Sequence, residues 1–193
     1  MGTEFELKYR AVPEQIAAIR EAFGPFREIS METTYYDAPD RSLSARKWTL
    51  RRRLENGVSI CTLKTPGTGD VRGEWETECG TISDAIDELC KLGAPAALAE
   101  LTAAGLVEVC GARFTRLACL IGDAGCMVEL ALDQGVLLGG GREIPLCEVE
   151  AELKEGSETA AVAFAKGLAD KFGLVPETAS KFKRALGLAE NQK

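Results

Sequence analysis

Apolar and polar residues alternate with a period of two over most of this chain. The period lengthens to about 3.6 residues only in a few intervals. Residues 3–11 alternate and predict a strand, with Phe5, Leu7 and Tyr9 on one face and Glu4, Glu6, Lys8 and Arg10 on the other. Pro13 opens a helix in which Ile16, Ile19, Ala22 and Phe23 fall at three- and four-residue spacing. β-branched and aromatic residues over 33–37 predict a strand that stops at the Ala38-Pro39-Asp40 turn. Residues 48–54 and 58–64 flank Glu55-Asn56-Gly57, where Asn-Gly marks a hairpin. A Gly-rich loop at 65–70 leads to a strand over 71–79, and 83–102 read as helix broken at Gly93 and Pro95. A long strand over 105–121 turns at 122–125 into another over 126–133. Residues 137–153 continue the sheet through Gly139-Gly140-Gly141, a hairpin turn rather than a phosphate loop. Residues 157–172 predict an amphipathic helix ended near Gly173, and Lys181 starts a last helix. About eight strands, several joined by hairpins, predict an α+β chain with a mostly antiparallel sheet. Nothing repeats or reads as a linker, so residues 1–193 are expected to form a single domain.

The charge on these strands is segregated. Side chains at i and i+2 share a face, about 6–7 Å apart. One face of each strand carries Glu4, Glu6, Lys8 and Arg10; then Arg51 and Arg53, with Lys64 on the paired strand; then Arg72, Glu74, Glu76 and Glu78; then Glu129 and Asp133; then Glu148, Glu150, Glu152 and Lys154. Each row taken singly is what the solvated face of a sheet would show. Together they are not, because like charges stand side by side where a solvated face would alternate signs. A ligand of opposite sign would compensate. If the sheet closes into a barrel, the charged faces line its lumen. Basic rows would then hold a polyanion, and the carboxylate rows a hard divalent cation such as Mg²⁺ or Mn²⁺. No GxxxxGK[ST] pattern occurs, so a phosphate site would be built from side chains.

Composition narrows the chemistry. The chain has 193 residues, 46% of them hydrophobic, enough for a sizeable core and too apolar for disorder. It contains no histidine, which removes His-based triads and His-ligated metal sites and leaves acid–base work to Asp, Glu, Lys, Tyr or Cys. Seven cysteines, odd in number and with no CxxC, argue against a disulfide framework or a zinc site. The net charge of −7 argues against DNA as a partner. No apolar run approaches a transmembrane length and the N-terminus has no signal-peptide core, so a cytoplasmic protein with no membrane partner is expected. The sequence leaves a homodimer open.

These residues resemble the CYTH superfamily, also called triphosphate tunnel metalloenzymes. Glu4-Phe5-Glu6-Leu7-Lys8 resembles its ExExK signature, and Tyr35-Tyr36-Asp37-Ala38-Pro39 its YYDTP-type element. Leu50-Arg51-Arg52-Arg53 is similar to its LRIR strand, Thr62-Leu63-Lys64 to TLK, and Arg72-Gly73-Glu74-Trp75-Glu76 to RxExE. The 129–135 segment is similar to ELALDxG, Glu148-Val149-Glu150 to the late ExE, and Ser180-Lys181 to the final SK. The resemblance runs from residue 4 to about 187. It implies a closed eight-stranded antiparallel β-barrel, a tunnel with helices packed outside, that binds triphosphates with Mg²⁺ or Mn²⁺. It implies Glu4, Glu6, Glu148 and Glu150 as metal ligands, supported by Glu129 and Asp133. Lys8, Arg51, Arg53, Lys64, Arg116 and Lys181 would hold phosphate oxygens, with Glu74 and Glu76 orienting them or binding water. Lys8, Glu4, Glu6, Glu148 and Glu150 would carry the catalysis. Arg116 is preferred to Arg113, which three-residue spacing puts on the other face, although Arg116-Leu117-Ala118 lacks a second basic residue common in relatives.

The whole-chain pattern is most like bacterial inorganic triphosphatases, so hydrolysis of inorganic triphosphate to pyrophosphate and phosphate is the leading expectation. The alternatives are an organic-triphosphate enzyme of the same fold (thiamine triphosphatase, nucleoside triphosphatase or class IV adenylate cyclase) and a non-catalytic polyphosphate-binding module. Trp48 reads first as a packing residue and, as the alternative, as the one conspicuous candidate platform for an organic group. Tyr35, Tyr36 and Trp75 read as packing residues, and Lys47 and Arg52 as exterior charges.

Overall fold

The structure is a computed structural model that describes residues 5–66, 73–123 and 125–190. Its strands are β1 (Phe5–Arg10), β2 (Arg27–Asp37), β3 (Thr49–Glu55), β4 (Val58–Thr65), β5 (Gly73–Glu78), β6 (Val107–Asp123), β7 (Cys126–Gly139), β8 (Arg142–Gly156) and β9 (Val175–Pro176). Its helices are α1 (Pro13–Ala22), α2 (Ser42–Ala45), α3 (Ile82–Lys91), α4 (Ala97–Thr102), α5 (Glu158–Phe172) and α6 (Lys181–Glu190).

The strands form one antiparallel sheet in the order β5-β4-β3-β2-β6-β7-β8-β1-β9. This corrects the expected closed eight-stranded barrel. Closure needs a hydrogen-bonded ladder between the first and last strands. Among the described residues β5 bonds only to β4, and β9 only to β1, so the sheet of nine strands is open. Alternation dictates which face a side chain takes and is silent on whether the edges meet. Two elements escaped the reading altogether: the short α2, and β9, whose Val175 and Pro176 cover part of the β1 edge. β2 and β7 also extend well beyond the predicted 33–37 and 126–133.

The register lines the charged rows up on one face. Glu6 lies opposite Glu152, and Glu152 opposite Glu129. Lys8 faces Glu150; Glu148 faces Asp133, and Asp133 faces Arg116. On the other half, Tyr35 lies opposite Arg51, Arg51 opposite Thr62 and Thr62 opposite Glu76. The outer face carries two apolar cores, separated by the exposed Ser30 and Glu32 of β2 and Arg113 and Thr115 of β6. Helices α1 and α5 cover Tyr9, Val128, Leu130, Leu132, Val149 and Ala151. Helices α3 and α4, with Leu43 of α2, cover Leu50, Cys61 and Leu63. The apolar period of α3, Ile82, Ala85, Ile86 and Leu89, is buried there, and Thr81 caps it by accepting from the Asp84 N–H at 3.2 Å.

Helix α6 differs in lying on the inner face. Its Ala185 packs with Ile29, Met31, Phe114, Leu137 and Leu146. Gly139 makes this approach feasible, since a Cβ there would lie 2.3 Å from the Ala185 carbonyl oxygen and 3.0 Å from the Ala189 nitrogen. Gly139→Val is therefore expected to lift α6 from the sheet at a cost of about 1–3 kcal/mol. The readouts are a lower melting temperature and faster proteolysis within 181–190; an unchanged melting curve with an intact α6 would contradict this packing.

Candidate active site

Because the sheet curls, residues from β1 through β8 border one cleft of about 1080 Å³ on the inner face. Its two sides gather different charges. Arg51 and Arg53 of β3, Lys64 of β4 and Lys47 make one the basic side, interleaved with Glu55, Glu74 and Glu76, while Glu6, Glu129, Glu150 and Glu152 make the other the acidic side, interleaved with Lys8, Arg116 and Lys154. Lys181 and Lys183 of α6 reach in from one end.

The densest chemistry lies beneath the acidic side. Asp133 and Glu148 are fully buried and Glu150 is 6% exposed. One carboxylate oxygen from each lies within 4.8 Å of the others. The Lys181 ammonium pairs with all three: it donates to Glu148 Oε1 at 2.5 Å and Glu150 Oε1 at 2.6 Å, and lies 2.8 Å from Asp133 Oδ2 as an ion pair. Arg116 grips Asp133 with two parallel bonds, Nε to Oδ1 at 2.8 Å and Nη2 to Oδ2 at 2.7 Å, and its Nη2 also donates to Glu150 Oε2. Arg184 Nη1 donates to Glu148 Oε2 at 2.5 Å. Three carboxylates thus meet three cations, the condition under which buried charge is tolerated. Burial raises the carboxyl pKa of Glu148 most, Glu150's charge adds to this, and Lys181 opposes it, leaving Glu148 at about 7. Burial also pushes Glu150 up, but Lys181 and Arg116 outweigh it and hold Glu150 well below the usual carboxylate range. Burial pulls the Lys181 ammonium down, but the three carboxylates keep its pKa above the ordinary lysine value.

The expected ligand set does not converge on one point. Asp133, Glu148 and Glu150 come together, whereas Glu6 pairs with Lys8 at 3.2 Å and Glu129 lies 3.5 Å from Lys154. Lys154 also holds Glu152 at 2.7 Å. Glu4 and Arg72 lie outside the described residues. The three-carboxylate cluster fits a hard divalent cation by its donor chemistry, all oxygen and all anionic.

The basic side is less well paired. Arg53 Nη2 lies 2.5 Å from Glu55, and Lys64 lies 3.3 Å from Glu74. Glu76 accepts from Thr62 at 3.2 Å. The Nε atoms of Arg51 and Arg53 are both buried without a hydrogen-bond partner. Burial, and then repulsion from Arg51, push the Arg53 guanidinium down to about 10. Arg116 faces the cleft, and Arg113 points away to Glu143 at 2.8 Å.

Trp48 packs against the α3–α4 core, in line with its leading reading as a packing residue, whereas Lys47, read as an exterior charge, lines the cleft. Asp37 is fully buried; its Oδ1 accepts from the Ala38 and Leu43 N–H groups at 2.8 and 3.0 Å, and its Oδ2 from Ser44 at 3.2 Å. The Tyr-Tyr-Asp element therefore caps the α2 turn, which delivers Ser44 and Lys47 to the cleft. Arg184 went unnoticed. Its signal was the i, i+3 spacing from Lys181, which places both cations on one helix face.

A family model described as the CYTH domain matches residues 2–186. An inorganic triphosphatase of Haemophilus influenzae is 28% identical over 199 residues, covering all of this chain and 56% of that protein, so the chain spans about half the length of this curated relative. A protein of Pyrococcus horikoshii OT3 shares the fold with a TM-score of 0.63 and 25% identity, covering 95% of this chain and 98% of that one. A candidate adenylyl cyclase of Hippeastrum, described as having a dominant triphosphatase activity, has a TM-score of 0.63 at 19% identity, covering 94% of this chain and 93% of that one.

Proposed function

The chain belongs to the CYTH domain family, and from that premise we propose that its cleft binds inorganic triphosphate with a divalent cation and hydrolyses it to pyrophosphate and phosphate. The observation that carries this reading is the Arg51–Arg53 pair: two like charges on one strand face, their Nε donors buried and unpaired. Such an arrangement is costly unless an anion accepts from it. Lys64, Lys8 and Lys47 border the same cleft and extend the anion-binding surface.

Phosphoryl transfer needs positioning and charge neutralisation more than covalent chemistry. Arg51, Arg53 and Lys64 would fix the phosphate chain against the basic side. Lys8, placed opposite Glu150 by the register, would bridge towards the acidic side. A Mg²⁺ or Mn²⁺ ion held by Asp133, Glu148 and Glu150 would supply Lewis-acid neutralisation of phosphoryl oxygens and lower the pKa of water at the site. With no histidine in the chain, a cleft carboxylate receives the proton of the attacking water.

A second reading is favoured by one observation: Leu186 and the edges of Ile29, Met31 and Phe114 that the α6 packing leaves uncovered also border the cleft and would suit the apolar part of an organic triphosphate. Phosphate release from inorganic triphosphate, ATP and thiamine triphosphate at equal concentration with Mg²⁺ separates the two. The inorganic substrate is expected to turn over at least about tenfold faster, a difference of ~1.4 kcal/mol. Faster turnover of either organic substrate, or formation of cyclic AMP, would replace the first reading by the second.

A further inference from the structure

The Lys181 ammonium sits where a divalent cation would have to sit. It pairs with one oxygen from each of Asp133, Glu148 and Glu150, at 2.5–2.8 Å, and a divalent ion held by the same cluster would need those oxygens at about 2.1 Å for Mg²⁺. An ammonium nitrogen and a divalent ion cannot both occupy the point on which those three oxygens converge, and a doubly charged ion there would also repel the ammonium. Nor is the triad balanced without a cation there, since three adjacent buried carboxylates would then face only Arg116 and Arg184.

The geometry also identifies which cation can leave. Arg116 is fixed by its two-point grip on Asp133. Arg184 uses the other oxygen of Glu148, Oε2, and lies 3.7 Å from Glu177. Lys181 alone spans all three carboxylates, on a flexible stem with a compact charge, and its side chain borders the cleft. Helix α6 does not depend on that ammonium for its position. Ala185 packs over Gly139, Phe182 lies against Tyr35 at 5.0 Å between ring centroids, and Arg184 holds Glu148.

We propose that Lys181 is an exchangeable counter-cation, which holds the Asp133–Glu148–Glu150 triad until a divalent cation takes those oxygens and then turns into the cleft to meet phosphate. The inference rests on the reading of the cleft as a metal-and-triphosphate site. It makes metal and substrate binding mutually reinforcing, because release of Lys181 adds a positive charge to the phosphate surface.

The test uses the wild-type protein and Mg²⁺ alone. Amine-directed labelling, read by peptide mass spectrometry, is expected to modify Lys181 roughly tenfold faster with saturating Mg²⁺, within the ordinary range of site coupling, while exposed Lys91 labels at the same rate. An unchanged or slower rate at Lys181 overturns the exchange. As a second readout, Mn²⁺ titrated into Lys181→Met and followed by electron paramagnetic resonance should bind roughly tenfold tighter than to wild type, and Arg184→Met should not tighten it. Equal or weaker Mn²⁺ binding by folded Lys181→Met also overturns the exchange. If wild type binds Mn²⁺ but shows neither effect, this inference fails and the proposed function stands. If wild type binds no Mn²⁺, with or without inorganic triphosphate, both fail.

Discussion

Glu148→Gln is expected to lower the turnover of inorganic triphosphate at least about 100-fold, the scale of losing one preorganised electrostatic group. Glu148 is fully buried and receives Lys181 on one oxygen and Arg184 on the other. Glutamine keeps the volume but removes the charge, and it turns an NH₂ group towards one of these two donors. Three cations then face two carboxylates, and the cluster loses an anionic ligand for a divalent ion. Breaking a buried ion pair costs about 3–5 kcal/mol, so a lower melting temperature is expected as well. The catalytic effect is isolated by assaying below the transition, with the circular dichroism spectrum unchanged, and by measuring Mn²⁺ affinity, which should fall with turnover. Wild-type turnover in folded Glu148→Gln would remove this residue from the site.

Arg53→Met is expected to behave in the opposite way with respect to stability. The Arg53 side chain is 16% exposed, its Nε has no partner, and Arg51 stands two residues away on the same strand face. Methionine fills similar space without the charge and relieves that repulsion. Its only paired partner among the described contacts, Glu55, is 27% exposed and can be solvated. The melting temperature should therefore hold or rise. Affinity for inorganic triphosphate should fall roughly tenfold to a hundredfold, the equivalent of about 1.5–3 kcal/mol for hydrogen bonds to a charged group. Titration calorimetry beside a thermal melt checks both. A variant that binds as wild type, or that melts well below it, would show Arg53 to be a structural ion-pair partner and not an anion ligand.

These two residues show how far alternation along the strands reaches. Period-two spacing was enough to place Arg51 with Arg53, and Glu148 with Glu150, on a common face, and the register brings the rows into one cleft. It could not say whether β5 would meet β1, because closure depends on the bend of the whole sheet and not on the face of any side chain. Nor could it separate carboxylates that are chemically alike. Glu6 and Glu129 stand in register across β1, β8 and β7 with Glu152, while Asp133 and Glu148 are held together beneath them under α6. That division follows from the long-range docking of α6, which brings Lys181 and Arg184 to β7 and β8. Asp37 illustrates the converse case. Alternation read it only as the end of a strand, and its bonds to three backbone N–H groups give it the role of a turn cap.

The central claim is that this cleft hydrolyses inorganic triphosphate with the help of a divalent ion. It is tested most directly by phosphorus NMR of inorganic triphosphate incubated with the wild-type protein and Mg²⁺, or with Mn²⁺, beside an EDTA control. The account predicts equimolar pyrophosphate and phosphate appearing together in the metal samples and no conversion with EDTA. No products with either metal, or equal rates in EDTA, would contradict it.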